Sequence, residues 1–274
     1  MKLRELRWRA AGHYSQFGPE WTSPLAGARG LEIGGPSAVF RGDGMLPVYP
    51  QLAELDGVQV PHAHALWHGE LEEGAYETGE PGLSGRLWLR DGTGLDHLPS
   101  ESYDAILSSH VLEHIANPLR ALEEWIRVLR PGGAFLIVVP HKEGCADHRR
   151  PTTTLEHMID DLRAGTGEDD MTHADEVLRL HDIARDPPAR DPETLRQRVL
   201  DNARVRAVHH HVFTLPSALR VLDHVGLRLI RATARWPHDI YVLAERPRPG
   251  EAVDNSALLD RGAVAGSPFT TDRA

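Results

Sequence analysis

The stretch Ala134-Phe135-Leu136-Ile137-Val138-Val139-Pro140 is apolar at every position and has no face to turn to water. It is too short to span a membrane and rich in β-branched residues, so it fits a strand covered on both sides. In soluble proteins such strands lie inside a parallel sheet flanked by helices. The segment before it has the other period. Leu119, Leu122, Trp125, Ile126 and Leu129 recur at helical spacing, Asn117-Pro118 opens the run, and Arg130-Pro131-Gly132-Gly133 stops it. Before that again, Tyr103 to Ser109 is a short buried strand leading into His110-Val111-Leu112-Glu113-His114-Ile115. Alternating strands and helices predict an α/β fold with a doubly wound, mostly parallel sheet.

Near the N-terminus, Gly30-Leu31-Glu32-Ile33-Gly34-Gly35-Pro36-Ser37 reads as a first buried strand, about Gly27 to Ile33, ending in a glycine turn. Such a turn lets backbone approach a ligand at the carboxyl edge of the sheet. A second strand is expected within 46–60, ending near Asp56 at the latest. Pro61 to Gly85 is irregular, and its His62, His64 and His68 read as solvated loop histidines. Alternation resumes at Arg86-Leu87-Trp88-Leu89-Arg90, followed by the turn Asp91-Gly92-Thr93-Gly94.

Residues 1–26 read as a helical lead, with Trp8, Tyr14, Phe17 and Trp21 packing on the domain or covering its site. Residues 141–213 break the alternation: they are polar, with helical patches near 154–163, 173–181 and 192–206. Thr214 caps a helix that runs to about Val225 and ends at Gly226. Strands at about 227–234 and 239–245 close the sheet as an antiparallel hairpin. Residues 247–274 are rich in proline, serine and charge, without periodicity, and read as a disordered tail.

A net charge of −10 argues against a general nucleic-acid binder, and no apolar run is long enough for a membrane span. The N-terminus lacks the apolar core of a signal peptide, and the single Cys145 fits a reducing compartment, so a cytoplasmic location is expected.

Taken in order, Leu31-Glu32-Ile33-Gly34-Gly35, Asp91-Gly92-Thr93 before Leu98-Pro99, Tyr103 to His114, and Leu129-Arg130-Pro131-Gly132-Gly133 with its apolar strand resemble the class I S-adenosylmethionine (SAM)-dependent methyltransferases. The resemblance covers 27–140 and, by topology, 214–246 as one Rossmann-like domain; it leaves 141–213 as an insertion that caps the sheet and binds the acceptor. It implies SAM as cofactor. Gly34, Gly35, Pro36 and Ser37 would meet its methionine end, with Glu32 at the ammonium, although Pro36 stands where the family usually has a second glycine. Asp56 would take the ribose hydroxyls, since one carboxylate matches two adjacent donors, with Glu54 behind it. Asp91, Gly92 and Thr93 would meet the adenine, and Ser109 and His110 would lie beside the sulfonium.

Methyl transfer asks a protein to align the acceptor and remove its proton. The insertion offers suitable groups at both ends: His141, Asp147 and His148 where it leaves the sheet, and His209, His210 and His211 where it returns. One imidazole oriented by Asp147 is a candidate base; alternatively these groups hold a divalent metal ion. In an extended segment His209 and His211 share a face, with His210 opposite. Glu113 and His114 read as structural. Arg149 and Arg150 suit an anionic or polyhydroxylated acceptor, and Thr154 with Glu156 suits a helix start. The chain is therefore expected to methylate an oxygen of a small polar acceptor such as a sugar or glycoside. The alternatives are an aromatic natural product as acceptor, or an inactive methyltransferase-like binding subunit. Oligomeric state is left open, with a homodimer as one option.

Overall fold

The computed structural model describes residues 15–60, 71–260 and 262–273. Trp8, Tyr14, His62, His64 and His68 lie outside the described residues. The chain enters through a short helix α1 (Pro19–Thr22). The sheet strands that follow are β1 (Arg29–Ile33), β2 (Glu54–Gln59), β3 (Gly74–Ala75), β4 (Arg86–Leu89), β5 (Tyr103–Ser109) and, after helix α2 (Pro118–Val128), β6 (Leu129–Pro140). Helices α3 (Leu155–Ala164), α4 (Ala174–Leu180), α5 (Pro192–Leu200) and α6 (Asn202–Val205) fill the insertion. Helix α7 (Leu215–His224), the hairpin β7 (Arg228–Arg235) and β8 (Asp239–Glu245), and a last helix α8 (Ser256–Leu259) complete the chain.

The strands form one sheet in the order β3-β4-β2-β1-β5-β6-β8-β7. Pairing is parallel from β4 through β6; β3 is antiparallel to β4, and β8 is antiparallel to both β6 and β7. This is the doubly wound, mostly parallel sheet with a terminal antiparallel hairpin that the alternation predicts. β6 lies between β5 and β8, and its residues from Ala134 to Pro140 are all buried, as a strand without a polar face must be. Helix caps follow the sequence signals: Asn117 accepts from the Arg120 N–H, and Thr214 and Ser217 form a reciprocal capping box.

Alternation along β1 sends Leu31 and Ile33 to the face covered by α2 and α7, with Trp125 and Leu219. The opposite face, to which β8 contributes Tyr241, is covered by Phe17, Trp21, Tyr49 and Tyr76. Phe17 packs edge-on against Tyr241 with ring centroids 4.7 Å apart, so the entering segment lies on this face.

The insertion has a small core of its own in Val177, Ala189, Leu195, Val199 and Val208. Its two ends are tied together beside the end of β6. His141 bridges Phe213, the Lys142 N–H donates to the Phe213 carbonyl (2.9 Å), and the Thr153 N–H to that of Val212 (3.0 Å).

Two expectations are corrected here. β2 does not end near Asp56; it starts at Glu54 and runs to Gln59. The segment after Arg246 is not disordered but docked. Phe269 is fully buried, and Asn255 accepts from the Leu229 N–H (2.8 Å) while donating to the Leu227 carbonyl and to Asp223. Its polar composition conceals a few anchoring residues whose partners lie far away in the chain.

Candidate functional site

Where β1, β2, β4 and β5 end, a cavity of about 160 Å³ opens, in the position where α/β sheets hold their ligands. Its walls are Ile33, Val58, Val60, Val111 and Ile115, and its polar groups include Gln59, Asp91, His110, His114 and Arg206. Gly34 lines it with φ +83°, a conformation open to glycine, and a β-carbon there would strike Val111 at 2.1 Å. Gly92 also lines it, with its carbonyl accepting from the Trp125 indole (2.9 Å).

The remaining residues expected at the cofactor are placed differently. Glu32 is fully buried, and its carboxylate accepts from the Ser37 N–H (3.1 Å), Tyr49 (2.6 Å) and Tyr76 (2.7 Å). Burial raises its pKa against those hydrogen bonds. It is thus enclosed by its own chain and does not face the cavity, because strand alternation puts it on the opposite side from Ile33. Gly35 is needed for the same enclosure: a β-carbon there would meet the Glu32 carboxyl and the Tyr76 hydroxyl at 2.1 Å. Pro36, Ser37, Thr93 and Ser109 are not among the residues lining the cavity.

Asp56 sits at the amino edge of the sheet, away from any ribose. It accepts from Arg29 (3.0 Å), the Arg86 N–H (2.7 Å) and Tyr103 (2.7 Å), each at the start of a strand. Gln59, at the true end of β2, lines the cavity instead, and its side-chain amide donates to the Gly35 carbonyl. Asp91 reaches the cavity, with Thr93 as its turn partner (2.9 Å from the N–H, 2.8 Å from the hydroxyl). Its other oxygen is held by Arg206 of the insertion at 2.7 Å, and Arg206 also pairs with Glu168.

A second pocket, of about 340 Å³, adjoins the first and shares His110 and His114 with it. Its remaining walls come from the insertion and the sheet edge, including Glu113, Cys145, His181, Arg198, His209 and His238. His110 has φ +56° at the end of β5, and its Nε2 lies 3.0 Å from Asp239. Burial lowers the pKa of His110, but the Asp239 hydrogen bond and the Glu113 charge outweigh it and the net shift is upward.

His209 turns Nδ1 to the Asp147 carboxylate, which is itself buried and bound by Arg150 at 2.9 Å. Burial would raise the Asp147 pKa, yet His209 and Arg150 hold it well below the usual carboxylate range. His209 is pulled down by burial and pushed up further by Asp147, for a net rise. Glu113 is fully buried, and neither of its oxygens has a hydrogen-bond partner among the described residues. Its nearest polar neighbours are His110 Nδ1 (3.6 Å) and His114 Nε2 (3.9 Å), and burial raises its pKa. Glu113 and His114 therefore line the pocket rather than packing only within their own turn. The signal for them is their place just past the carboxyl end of β5.

The other catalytic candidates are not brought to this pocket. His141 is fully buried, stacked on Phe269 with ring centroids 3.8 Å apart, and bonded to Asp272 (2.9 Å). It anchors the C-terminal segment. His148 pairs with Asp182 (2.8 Å) within the insertion. His210 meets Asn202 (3.0 Å) and His211 the Ala116 carbonyl (3.1 Å), with their rings 6.3 Å apart. The segment is not extended, so His209 faces the pocket alone while His210 and His211 face inward to the insertion. Arg150 is buried and serves Asp147, Glu176 and the His209 and His210 carbonyls rather than an acceptor.

Residues 66–137, which carry β4, β5 and α2, match the family model described as a methyltransferase domain. Together with the sheet order and the cavity at its carboxyl edge, this defines a Rossmann-like methyltransferase fold. Over that segment the chain is similar to SAM-dependent methyltransferases. A curated protein of Mycolicibacterium smegmatis, a probable SAM-dependent methyltransferase, is 40% identical over 45 residues. That match spans 16% of this chain and 18% of the relative. Among solved structures, a SAM-dependent methyltransferase from Aquifex aeolicus overlaps 83% of this chain and 92% of its own, at 15% identity and a TM-score of 0.41. The N-methyltransferase NodS from Bradyrhizobium japonicum overlaps 90% and 99%, at 13% identity and a TM-score of 0.45. Overlaps this loose add nothing to the assignment.

Proposed function

We propose that this chain transfers the methyl group of SAM to an oxygen of a small polar acceptor, such as a sugar or glycoside, with His209 as general base. The observation that carries the reading is His209, backed by the buried Asp147, on the wall of a pocket that shares His110 and His114 with the cofactor cavity. Asp147 takes the Nδ1 side and leaves Nε2 as the nitrogen that can accept a proton. The charge of Asp147 also stabilises the imidazolium that results.

The residues of the first cavity suit the adenosine half of SAM: an apolar slot with the Asp91 carboxylate and Gln59 at its polar end. When bound, SAM supplies an activated methyl group, and the protein's own contribution is alignment and proton removal. The acceptor pocket is lined by ionisable side chains such as Glu113, Arg185, Asp186 and Arg198 as well as apolar ones, and its aromatic rings are those of histidines, which favours a hydroxylated acceptor over an aromatic one. We place the reaction in the cytoplasm on the strength of a single cysteine. The net charge of −10 supports a small-molecule acceptor over nucleic acid. No described helix is long and apolar enough to cross a membrane.

A second reading comes from Glu113. A buried carboxylate without a hydrogen bond, beside His114 and His209, is a set of ligands that a divalent metal ion could use to lower an acceptor hydroxyl's pKa. The test is transfer of labelled methyl to a panel of glycosides and sugar acids, with and without chelator. With a histidine base, chelator leaves turnover unchanged and His209→Ala lowers it by roughly 10²–10⁴. Loss of turnover on chelation, restored by a divalent ion, replaces the base with a metal. No transfer to any acceptor, with no heat on titration of SAM, leaves the inactive binding subunit.

A further inference from the structure

Away from the acceptor pocket, the insertion gathers a second group of histidines that methyl transfer does not use. His157 lies on α3, His173 at the start of α4, and His211 on the returning segment. One ring nitrogen from each lies within 4.8 Å of the others. The closest pair, His157 Nε2 and His173 Nε2, are 3.1 Å apart. Asp161 follows His157 by one helical turn, on the same face of α3. Its Oδ2 lies 3.4 Å from His157 Nε2 and 4.0 Å from His211 Nε2.

The polar atoms here are under-satisfied. Asp161 Oδ2 and His211 Nδ1 are buried and have no hydrogen-bond partner among the described residues. His211 is 1% exposed, and its Nε2 lies 3.1 Å from the Ala116 carbonyl, an acceptor only. Nε2 therefore carries the proton and Nδ1 is left with a free lone pair. That is the arrangement of a metal-binding histidine, whose other ring nitrogen donates to a backbone carbonyl. Ligands about 2.0–2.1 Å from one ion are themselves about 3.3 Å apart, and the His157–His173 separation of 3.1 Å is close to that.

We propose that His157, His173 and His211 bind a structural Zn²⁺ or similar divalent ion, distinct from the acceptor pocket, with Asp161 beside His157. The ion ties α3, the start of α4 and the 209–211 segment together, and so holds His209 in register. Three imidazoles fill three positions of a tetrahedral site and leave the fourth to water. An overlapping trio, Asp170, His173 and His210, shares His173, and His210 Nδ1 is likewise buried without a partner.

The test is metal analysis of the purified full-length protein, followed by chelation and return of Zn²⁺, with thermal melting as readout. One equivalent of metal is expected, with a melting temperature that falls on chelation and recovers with Zn²⁺. Co²⁺ in its place should show the visible bands of a tetrahedral site. His157→Ala and His173→Ala should lose the metal, whereas His209→Ala and His210→Ala should keep it. Chelation of the wild type stands as evidence should the variants fail to fold. Absence of both metal and a melting response to Zn²⁺ overturns the proposal. So does loss of the metal with His209→Ala, which puts it in the acceptor pocket, or with His210→Ala but not His157→Ala, which puts it on the overlapping trio.

Discussion

Replacing Phe269 by alanine should destabilise the fold heavily, although the residue lies only five positions before Ala274 in a segment of polar composition. Its ring has no exposed surface. It stacks on His141 with planes 7° apart and also meets Trp236 at 4.7 Å between centroids. Truncating a buried phenylalanine costs about 3–5 kcal/mol, and the upper part of that range applies where the walls cannot collapse. Here one wall is the His141 ring, fixed by Asp272 at 2.9 Å and by the Glu143 N–H at 3.2 Å. Ending the chain at Arg246 removes more, since His141 then loses its Asp272 partner in a buried site, at a further cost of about 1–3 kcal/mol. Against a total stability of about 5–15 kcal/mol, that deletion should leave little folded protein at physiological temperature. The assay is urea denaturation followed by circular dichroism. Phe269→Ala should lower the midpoint with the slope unchanged, and Phe269→Leu should lower it less. A wild-type midpoint for both Phe269→Ala and the truncated chain would show that the segment is not docked on His141.

Asp91→Ala should weaken SAM binding by about 1–3 kcal/mol, roughly 5–150-fold, without loss of folding; unchanged affinity by calorimetry would remove Asp91 from the site. Arg206→Ala, which frees the same carboxylate from its ion pair, should bind SAM more tightly, and weaker binding would mean that Arg206 helps to hold the cofactor. The pH–rate profile should rise through a value above the ordinary imidazole value of about 6.5, because Asp147 raises His209; in Asp147→Asn the limb should move down. The same pair sets stability against pH. His209, raised, stabilises the fold fully below its unfolded value and loses that contribution as pH rises through its folded one. Asp147, depressed, stabilises above its unfolded value and loses it as pH falls. Asp147→Asn should therefore flatten the acid side of the melting-temperature profile, and a parallel shift at all pH values would refute the coupling.

The fold was legible in the sequence because its signals are local. An apolar run such as 134–140 must be covered, α2 declares its buried stripe by spacing, and Asn117 and Thr214 mark helix starts through hydrogen bonds three residues away. Where a motif's backbone conformation decides the matter, as at Gly34 beside the cavity, sequence sufficed too. What a polar side chain meets is decided by residues far along the chain. Asp56 fails as a ribose ligand because β2 starts, not ends, beside it, and a strand boundary shifted by a few residues moves a carboxylate from one edge of the sheet to the other. Glu32 turns inward because Tyr49 and Tyr76 arrive on its face. His141 finds Asp272, Asp147 finds His209 and Asp91 finds Arg206 across 131, 62 and 115 residues. Nothing in the spacing of histidines along 141–213 separates those that line the acceptor pocket, His181 and His209, from those that face each other; only the packing of the insertion on the sheet edge does that.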